Sequence, residues 1–143
     1  MPRCSCAGNS CGCLIQGGDG VSISGTGNNS APYTISLTTQ YQQINHAVAG
    51  PLDLTPIRSG TLLEVALGAN VTDIQFAGGL GTSYEVLFRQ NVSGGATVAW
   101  PSIIEWPGGA DPVLSTTLYW AELISFRKLA GSWLGVVLGA AIR

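Results

Sequence analysis

The sequence predicts an all-β protein: an antiparallel β-sandwich or barrel-like domain preceded by a small N-terminal Cys-rich hairpin segment. From Thr61 onward, short apolar runs recur at regular spacing with Gly-rich turn signals between them. β-branched and aromatic residues are frequent in these runs, as in the short strands of packed sheets. The chain has 143 residues, of which 45% are hydrophobic, so it can form a core of its own. We predict a Cys-rich clasp in residues 1–17, a hairpin and connector in 18–57, and the β-sandwich domain in 58–143.

The first regular element after the clasp is a β-hairpin in residues 18–38. Apolar and polar residues alternate on both sides of a Gly, Asn, Ser and Pro-rich loop at 25–32. The polar stretch 38–57, which is closed by two X-Pro steps, is predicted to be a connector with at most a short turn of helix. His46 lies in this stretch, and we expect it to be a solvated loop residue.

The remaining apolar runs are predicted to be the strands of the main domain. The run Leu118 to Phe126 fits a buried strand or a short helix, and its aromatic and β-branched neighbours favour the strand. The last run, Trp133 to Ile142, is predicted to be a buried final strand, because it is too short for a membrane span. In order, the runs read TLLEVAL, VTDIQFA, SYEVLFRQ, ATVAW, SIIEW, LYWAELISF and WLGVVLGAAI.

Charge is scarce in this chain. The net charge is −2, and only 10% of residues are charged, against about 25% in a typical soluble domain. The absence of a basic cluster larger than Arg127-Lys128 argues against nucleic acid and anionic membranes as partners. No apolar signal segment begins the sequence, so we expect cytoplasmic synthesis. The low charge predicts self-association, because interface cores are depleted of charged residues.

The sequence does not predict an enzyme. It contains neither a Gly-x-Ser-x-Gly nor a His-Glu-x-x-His motif, and His46 is its only histidine. The acidic residues are spread along the chain without a pair whose spacing indicates acid–base catalysis.

Aromatic residues leave a binding function open. Four Trp and four Tyr could form a sugar-stacking surface, or they could fill the core and subunit interfaces, which the composition favours. The best candidate for ligand contact is the stretch EWPGGADP, because it carries a Trp and two acids on a predicted turn. The candidate ligand residues are Glu105, Trp106 and Asp111.

All four cysteines, Cys4, Cys6, Cys11 and Cys13, lie within ten positions. A hairpin that turns through AGNS would pair Cys4 with Cys13 and Cys6 with Cys11, with all four side chains on one face. Four thiolates can then surround one tetrahedral ion, for which we expect a structural Zn²⁺ with no open position for catalysis. Disulfides within or between subunits, and free thiols, are the alternatives that the spacing leaves open.

Several motifs in order resemble the β-structured minor tail and tail-fibre proteins of bacteriophages. The C-terminal part, ATVAWPSIIEWPGGADPVLS followed by GSWLG, resembles their distal β-domain. The start, CGCLIQGGDGVSISGTGNNSAPYTISL, is similar to tail proteins of actinobacterial phages, in which a Cys-x-Cys element leads into a hairpin. Together these motifs cover about two-thirds of the chain, whereas residues 40–95 match only in strand character.

The resemblance implies a structural protein of the virion. It implies assembly as a homotrimer, contact with other virion proteins through the N-terminal segment, and contact with a host cell-wall glycan. No collagen-like or coiled-coil shaft is present. A capsid decoration protein or short head fibre, and a glycan-binding adhesin module, are therefore the alternative functions.

Overall fold

All regular elements in the described residues are strands, which confirms the predicted all-β class. The computed structural model describes residues 6–7, 10–11, 21–24, 32, 34–37 and 41–143. No helix in this part of the chain is long and apolar enough to cross a membrane. The chain divides into two units, Met1–Thr39 and Gln40–Arg143.

The described strands of the first unit form two antiparallel pairs. The first pair places Cys6 opposite Cys11, and the second places Ile23 opposite Ile35. Both pairs match the hairpins predicted from the sequence. The strands are β1 (Cys6–Ala7), β2 (Ser10–Cys11), β3 (Val21–Ser24) and β4 (Thr34–Leu37).

The second unit contains a six-stranded sheet and a two-stranded sheet. Its strands are β5 (Tyr41–His46), β6 (Gly50–Asp53), β7 (Thr61–Leu67), β8 (Val71–Gln75), β9 (Ser83–Gln90), β10 (Ile104–Glu105), β11 (Ala121–Lys128) and β12 (Trp133–Ile142). The larger sheet has the order β10-β12-β11-β9-β7-β5, and the smaller sheet pairs β6 with β8. Of the segment Leu118 to Phe126, which is predicted as a strand or a short helix, the part from Ala121 onward belongs to the strand β11, and residues 118–120 precede it.

The larger sheet is mixed, whereas the sequence predicts an antiparallel arrangement. The strands β5, β7 and β9 are parallel to one another, and so are β6 and β8. Val98 forms a single parallel bridge to Val71, the first residue of β8. The chain therefore passes from the larger sheet to the smaller one and back, and only β9, β11 and β12 form the expected antiparallel ladder. The short turns after β5 and β7 are corners between sheets, not hairpin turns.

Hydrogen bonds between successive corners hold this winding in register. The Asn70 carbonyl oxygen accepts a hydrogen bond from the Gly50 N–H and lies 3.2 Å from His46 Nε2, while the Asn70 side-chain oxygen accepts one from the Thr97 N–H. The Gly68 N–H donates to the His46 carbonyl oxygen. The prediction that His46 is solvated is wrong, because this residue ends β5 and is buried.

The predicted connector 38–57 contains two strands, β5 and β6. The polar residues Gln42 and Gln43 favour a connector in the sequence. They occur in a strand here because β5 lies at the edge of the sheet, where most of its side chains are exposed. The second unit begins at Gln40, well before the predicted start of the main domain at residue 58.

One hydrophobic core receives side chains from both sheets of the second unit. The smaller sheet contributes Leu52 and Ile74, and the loop after β6 contributes Leu54. The larger sheet contributes Leu63, Val65, Leu67, Tyr84, Val86, Phe88, Ile104, Ile124, Phe126 and Trp133. The two sheets therefore pack on each other through these faces.

Candidate functional site

An open groove of about 420 Å³ lies between two extended segments of the second unit. One wall is the segment 97–100, which contains the bridge at Val98, and the other is the segment 111–116. The lining residues are Thr97, Val98, Ala99, Trp100, Asp111, Pro112, Val113, Leu114 and Thr116. Asp111 is the only ionisable residue among them, so the groove is mainly apolar with one negative charge. We call this feature the groove.

Hydrogen bonds fix the 111–116 wall. The Trp100 indole N–H donates to the Pro112 carbonyl oxygen at 2.8 Å, and the Gly95 N–H donates to the Thr116 carbonyl oxygen at 2.9 Å. The Ser115 N–H donates to Glu122 Oε1 at 2.9 Å. These bonds anchor the wall on both sides of Val113, whose side chain is 96% exposed.

The buried side chain of Gln90 supports the 111–116 wall and also the turn that precedes the 97–100 wall. Its amide nitrogen donates to the carbonyl oxygens of Ala96, at 2.7 Å, and Ser115, at 3.0 Å, and its amide oxygen accepts a hydrogen bond from the Ala96 N–H. The side chain is 1% exposed, so water does not compete for these partners. Gln90 therefore couples the end of β9 to the shape of the groove.

An aromatic cluster lies beneath the groove. The ring centroid of Trp100 is 5.0 Å from that of Trp106 and 5.7 Å from that of Phe88, in edge-to-face geometry. Trp106 also contacts β12 closely, because a Cβ on Gly135 would clash with its six-membered ring. A side chain at position 135 would displace the indole, so Gly135 is what allows Trp106 to pack here.

The structure separates the predicted ligand residues by burial. Trp106 is only 9% exposed and belongs to the core, whereas Glu105 and Asp111 are exposed. Asp111 lines the groove together with Trp100, which the sequence does not distinguish from the other aromatic residues. The ligand role of Glu105, Trp106 and Asp111 stays a prediction, but Trp106 does not offer an open ring face for stacking.

A second, smaller depression of about 240 Å³ lies on the other side of Pro112. It is lined by Trp106, Pro107, Ala110, Pro112, Val136 and Val137. Because Pro112 borders both features, the apolar surface continues from the groove to β12.

The strand β12 is apolar and partly exposed. Val137 and Leu138 are 41% and 53% exposed, and no charged residue occurs between Trp133 and Ile142. On the side away from β11, β10 pairs only with Trp133 and Leu134. Beyond Leu134, no strand in the described part of the chain covers this edge. The prediction of a buried final strand is therefore correct only for its first few residues.

Glu64 forms an ion pair with Arg89 on the face of the larger sheet that points away from the core. Tyr41 donates a hydrogen bond to Glu64 at 2.8 Å, and Arg89 forms an ion pair with the same carboxylate at 2.9 Å. The Tyr41 hydrogen bond, followed by that from Arg89, lowers the pKa of Glu64, and the same Tyr41–Glu64 bond raises the pKa of Tyr41. These contacts further reduce the free charge on the surface.

Two of the four predicted cysteine ligands lie outside the described residues. The backbone register places Cys6 opposite Cys11, as the AGNS hairpin requires, while Cys4 and Cys13 are not among the described positions. Within the described residues, no group of three or more His, Cys, Asp or Glu side chains is placed to hold a metal ion. The Zn²⁺, disulfide and free-thiol hypotheses all stay open.

Comparison of the chain with protein-family profiles, curated proteins and solved structures gives no match.

Proposed function

We propose that this chain is a structural protein of a bacteriophage virion, of the minor tail or tail-fibre type, that assembles with copies of itself as a homotrimer. The order of the Trp-Pro, WPGG and Gly-x-Trp motifs supports the virion class through resemblance. Its proposed location is the virion, after synthesis in the host cytoplasm. A capsid decoration protein or short head fibre is the alternative placement of the same assembly function.

The exposed strand β12 carries the proposal of self-assembly. Long, uncharged edge strands invite pairing with other chains, and soluble proteins protect them with charges, prolines or covering elements. Over Val136–Ile142, β12 has no charge, no proline and, in the described residues, no strand partner on the edge away from β11, so a second chain could cover this edge. With only 10% charged residues in the chain, a copy of the same chain is a chemically suitable partner.

Assembly is better supported than glycan binding. A sugar-stacking site needs an accessible aromatic face, and the indole of Trp106, the aromatic residue of the best candidate loop, is packed against Gly135. Tyr41 and Tyr119 are the most exposed aromatic side chains of the second unit, and Tyr41 is held by Glu64.

Truncation of β12 tests the assembly function. Deletion of Val136–Arg143 is expected to convert a trimer into a monomer, because it removes the exposed apolar strand. The measurement is the molar mass of the full chain and of the truncated chain by light scattering and analytical ultracentrifugation. Leu138→Asp is the matched variant, since it keeps the β12 backbone and places a charge on an exposed side chain. A truncated chain that stays trimeric and soluble would place the interface elsewhere.

For the N-terminal clasp, we propose a structural Zn²⁺ bound by Cys4, Cys6, Cys11 and Cys13, which folds the tip for docking to other virion proteins. The backbone register of Cys6 opposite Cys11 supports it, because this is the pairing that a hairpin through AGNS requires. Elemental analysis with free-thiol counting is expected to give about one Zn²⁺ per chain. Metal-free protein without titratable thiols would replace this hypothesis with disulfides.

A further inference from the structure

We propose that the groove receives the end of β12 from a second copy, so that subunits join head to tail. The donor is the segment Val137–Arg143, and the acceptor is the groove between residues 97–100 and 111–116 of the next copy. This inference rests on the proposed self-assembly and specifies which two surfaces meet.

The acceptor side offers an unpaired sheet edge. The Val71 N–H donates to the Thr97 carbonyl oxygen, and the Ala99 N–H donates to the Val71 carbonyl oxygen. Because successive residues of a strand direct their backbone groups to opposite edges, the N–H and C=O of Val98 face away from β8. Val98 lines the groove, so these groups can bond an extended chain that enters it.

The donor side offers a segment of β12 that is apolar, exposed and extended as far as Ala140, whereas Ala141 has a φ of 55°, in the left-handed region. Leu138 and the residues from Ala140 to Arg143 are exposed, and the edge of β12 beyond Leu134 has no strand partner in the described residues. Gly139 and the small side chains of Ala140 and Ala141 keep the segment thin. A thin strand whose single charged side chain lies at its end fits a shallow apolar groove better than a strand with several long polar side chains does.

The charges of the two surfaces are complementary. Asp111 has the only ionisable side chain among the residues that line the groove, and Arg143 has the only one in the donor segment. The Arg143 guanidinium lies 4.9 Å from the Trp120 ring centroid, a contact that uses its π face. Its N–H donors lie in the guanidinium plane, so they remain able to form a bidentate bond with a carboxylate.

The symmetry of this contact agrees with a trimer. The donor and acceptor are different surfaces, so the interface is heterologous, and heterologous contacts close into rings when the rotation between subunits permits. A direct pairing of two β12 strands would instead be isologous and would give a dimer. A closed trimer requires a heterologous contact, and the head-to-tail contact is of that kind.

A charge swap tests the contact in the full-length chain. Asp111→Arg and Arg143→Asp each place like charges at the contact, so each is expected to raise the concentration for half-assembly about tenfold or more. The double variant with both changes restores opposite charges and is expected to return within about threefold of the parent chain. Sedimentation measures assembly, and circular dichroism with thermal melting confirms that each variant is folded. Loss of folding cannot mimic the rescue, because the double variant carries both changes.

Photo-crosslinking provides a second measurement. A photoreactive phenylalanine analogue at Leu138 is expected to label residues 97–116, and mixed light and heavy isotopic chains show that the label joins two copies. The same analogue at Val48, which is 79% exposed on a corner between sheets, serves as the control and is expected not to label this region.

The possible results separate the inference from the function on which it rests. If the single charge changes leave the concentration for half-assembly unchanged, or if the double variant assembles no better than the single variants, the head-to-tail contact is wrong. The proposal of self-assembly is not affected by either result. A parent chain that is monomeric at all concentrations overturns both. If Asp111→Arg abolishes binding to a panel of soluble oligosaccharides while assembly is unchanged, the groove is a sugar site and the inference fails.

Discussion

Trp133→Ala is expected to destabilise the second unit by about 3–5 kcal/mol, which is the usual cost of truncating a buried Trp. The indole is 2% exposed and lies in the core between the two sheets. Its ring stacks on Phe76, with a centroid distance of 4.5 Å, and on Tyr84, at 5.6 Å. The truncation leaves a cavity in which both rings lose a contact face. Urea unfolding monitored by far-UV circular dichroism measures the change in the free energy of unfolding.

Trp120→Ala is the matched control for this experiment. The side chain is half-buried just before β11, so its truncation removes less apolar area from the interior. We expect a clearly smaller loss of stability than for Trp133→Ala. Equal losses for the two variants would mean that the sheets do not pack through Trp133.

The sequence predicts the strands of this protein better than the directions in which they run. Alternation in TLLEVAL identifies the core-facing residues Leu63, Val65 and Leu67, all of which are buried. The same period of two occurs in parallel and antiparallel sheets, so it does not indicate that β7 runs parallel to β9. The short turn between β7 and β8 fits a hairpin as well as a corner.

The parallel directions follow from a repeat in the structure. β5, β7 and β9 are each followed by a short corner and a return to the smaller sheet, and the corners after β5 and β7 contact each other through Asn70. Recurrence of a strand, corner and strand at a steady interval is the signature of stacked coils. Three passes with different side chains, from YQQINH to SYEVLFRQ, make this signature faint.

The candidate site was only partly predictable for a similar reason. Trp100 and Trp106 each precede a proline and look alike in the sequence. Their burial differs because Gly135, on a strand that follows much later, leaves space for Trp106. The sequence predicts Asp111 as a candidate because it lies on a predicted turn, whereas the opposite wall at Val98 depends on a bridge to Val71 that local sequence does not reveal.

Gln90→Leu is expected to destabilise the protein by about 2–3 kcal/mol and to weaken assembly as well. The change keeps a side chain of similar size but removes the partners of the Ala96 backbone and the Ser115 carbonyl oxygen. A buried backbone group without a partner costs about 1–3 kcal/mol. Release of Ser115 also loosens the 111–116 wall, so the groove loses its shape. Urea unfolding and sedimentation measure the two effects.

Gln75→Leu controls for the loss of an amide, because Gln75 is exposed at the end of β8, and we expect little change in stability.

Gln90→Glu tests the donor role of the Gln90 amide nitrogen directly. An ionised carboxylate would face the Ala96 and Ser115 carbonyl oxygens, so the pKa of the introduced carboxyl group in the folded variant should rise above its unfolded value. A raised pKa means that, relative to the parent chain, the variant loses stability as the pH increases from the unfolded pKa to the folded one. A constant stability difference between variant and parent across that range would show that the amide nitrogen does not hold the two carbonyl groups, and that the groove wall is positioned by backbone contacts instead.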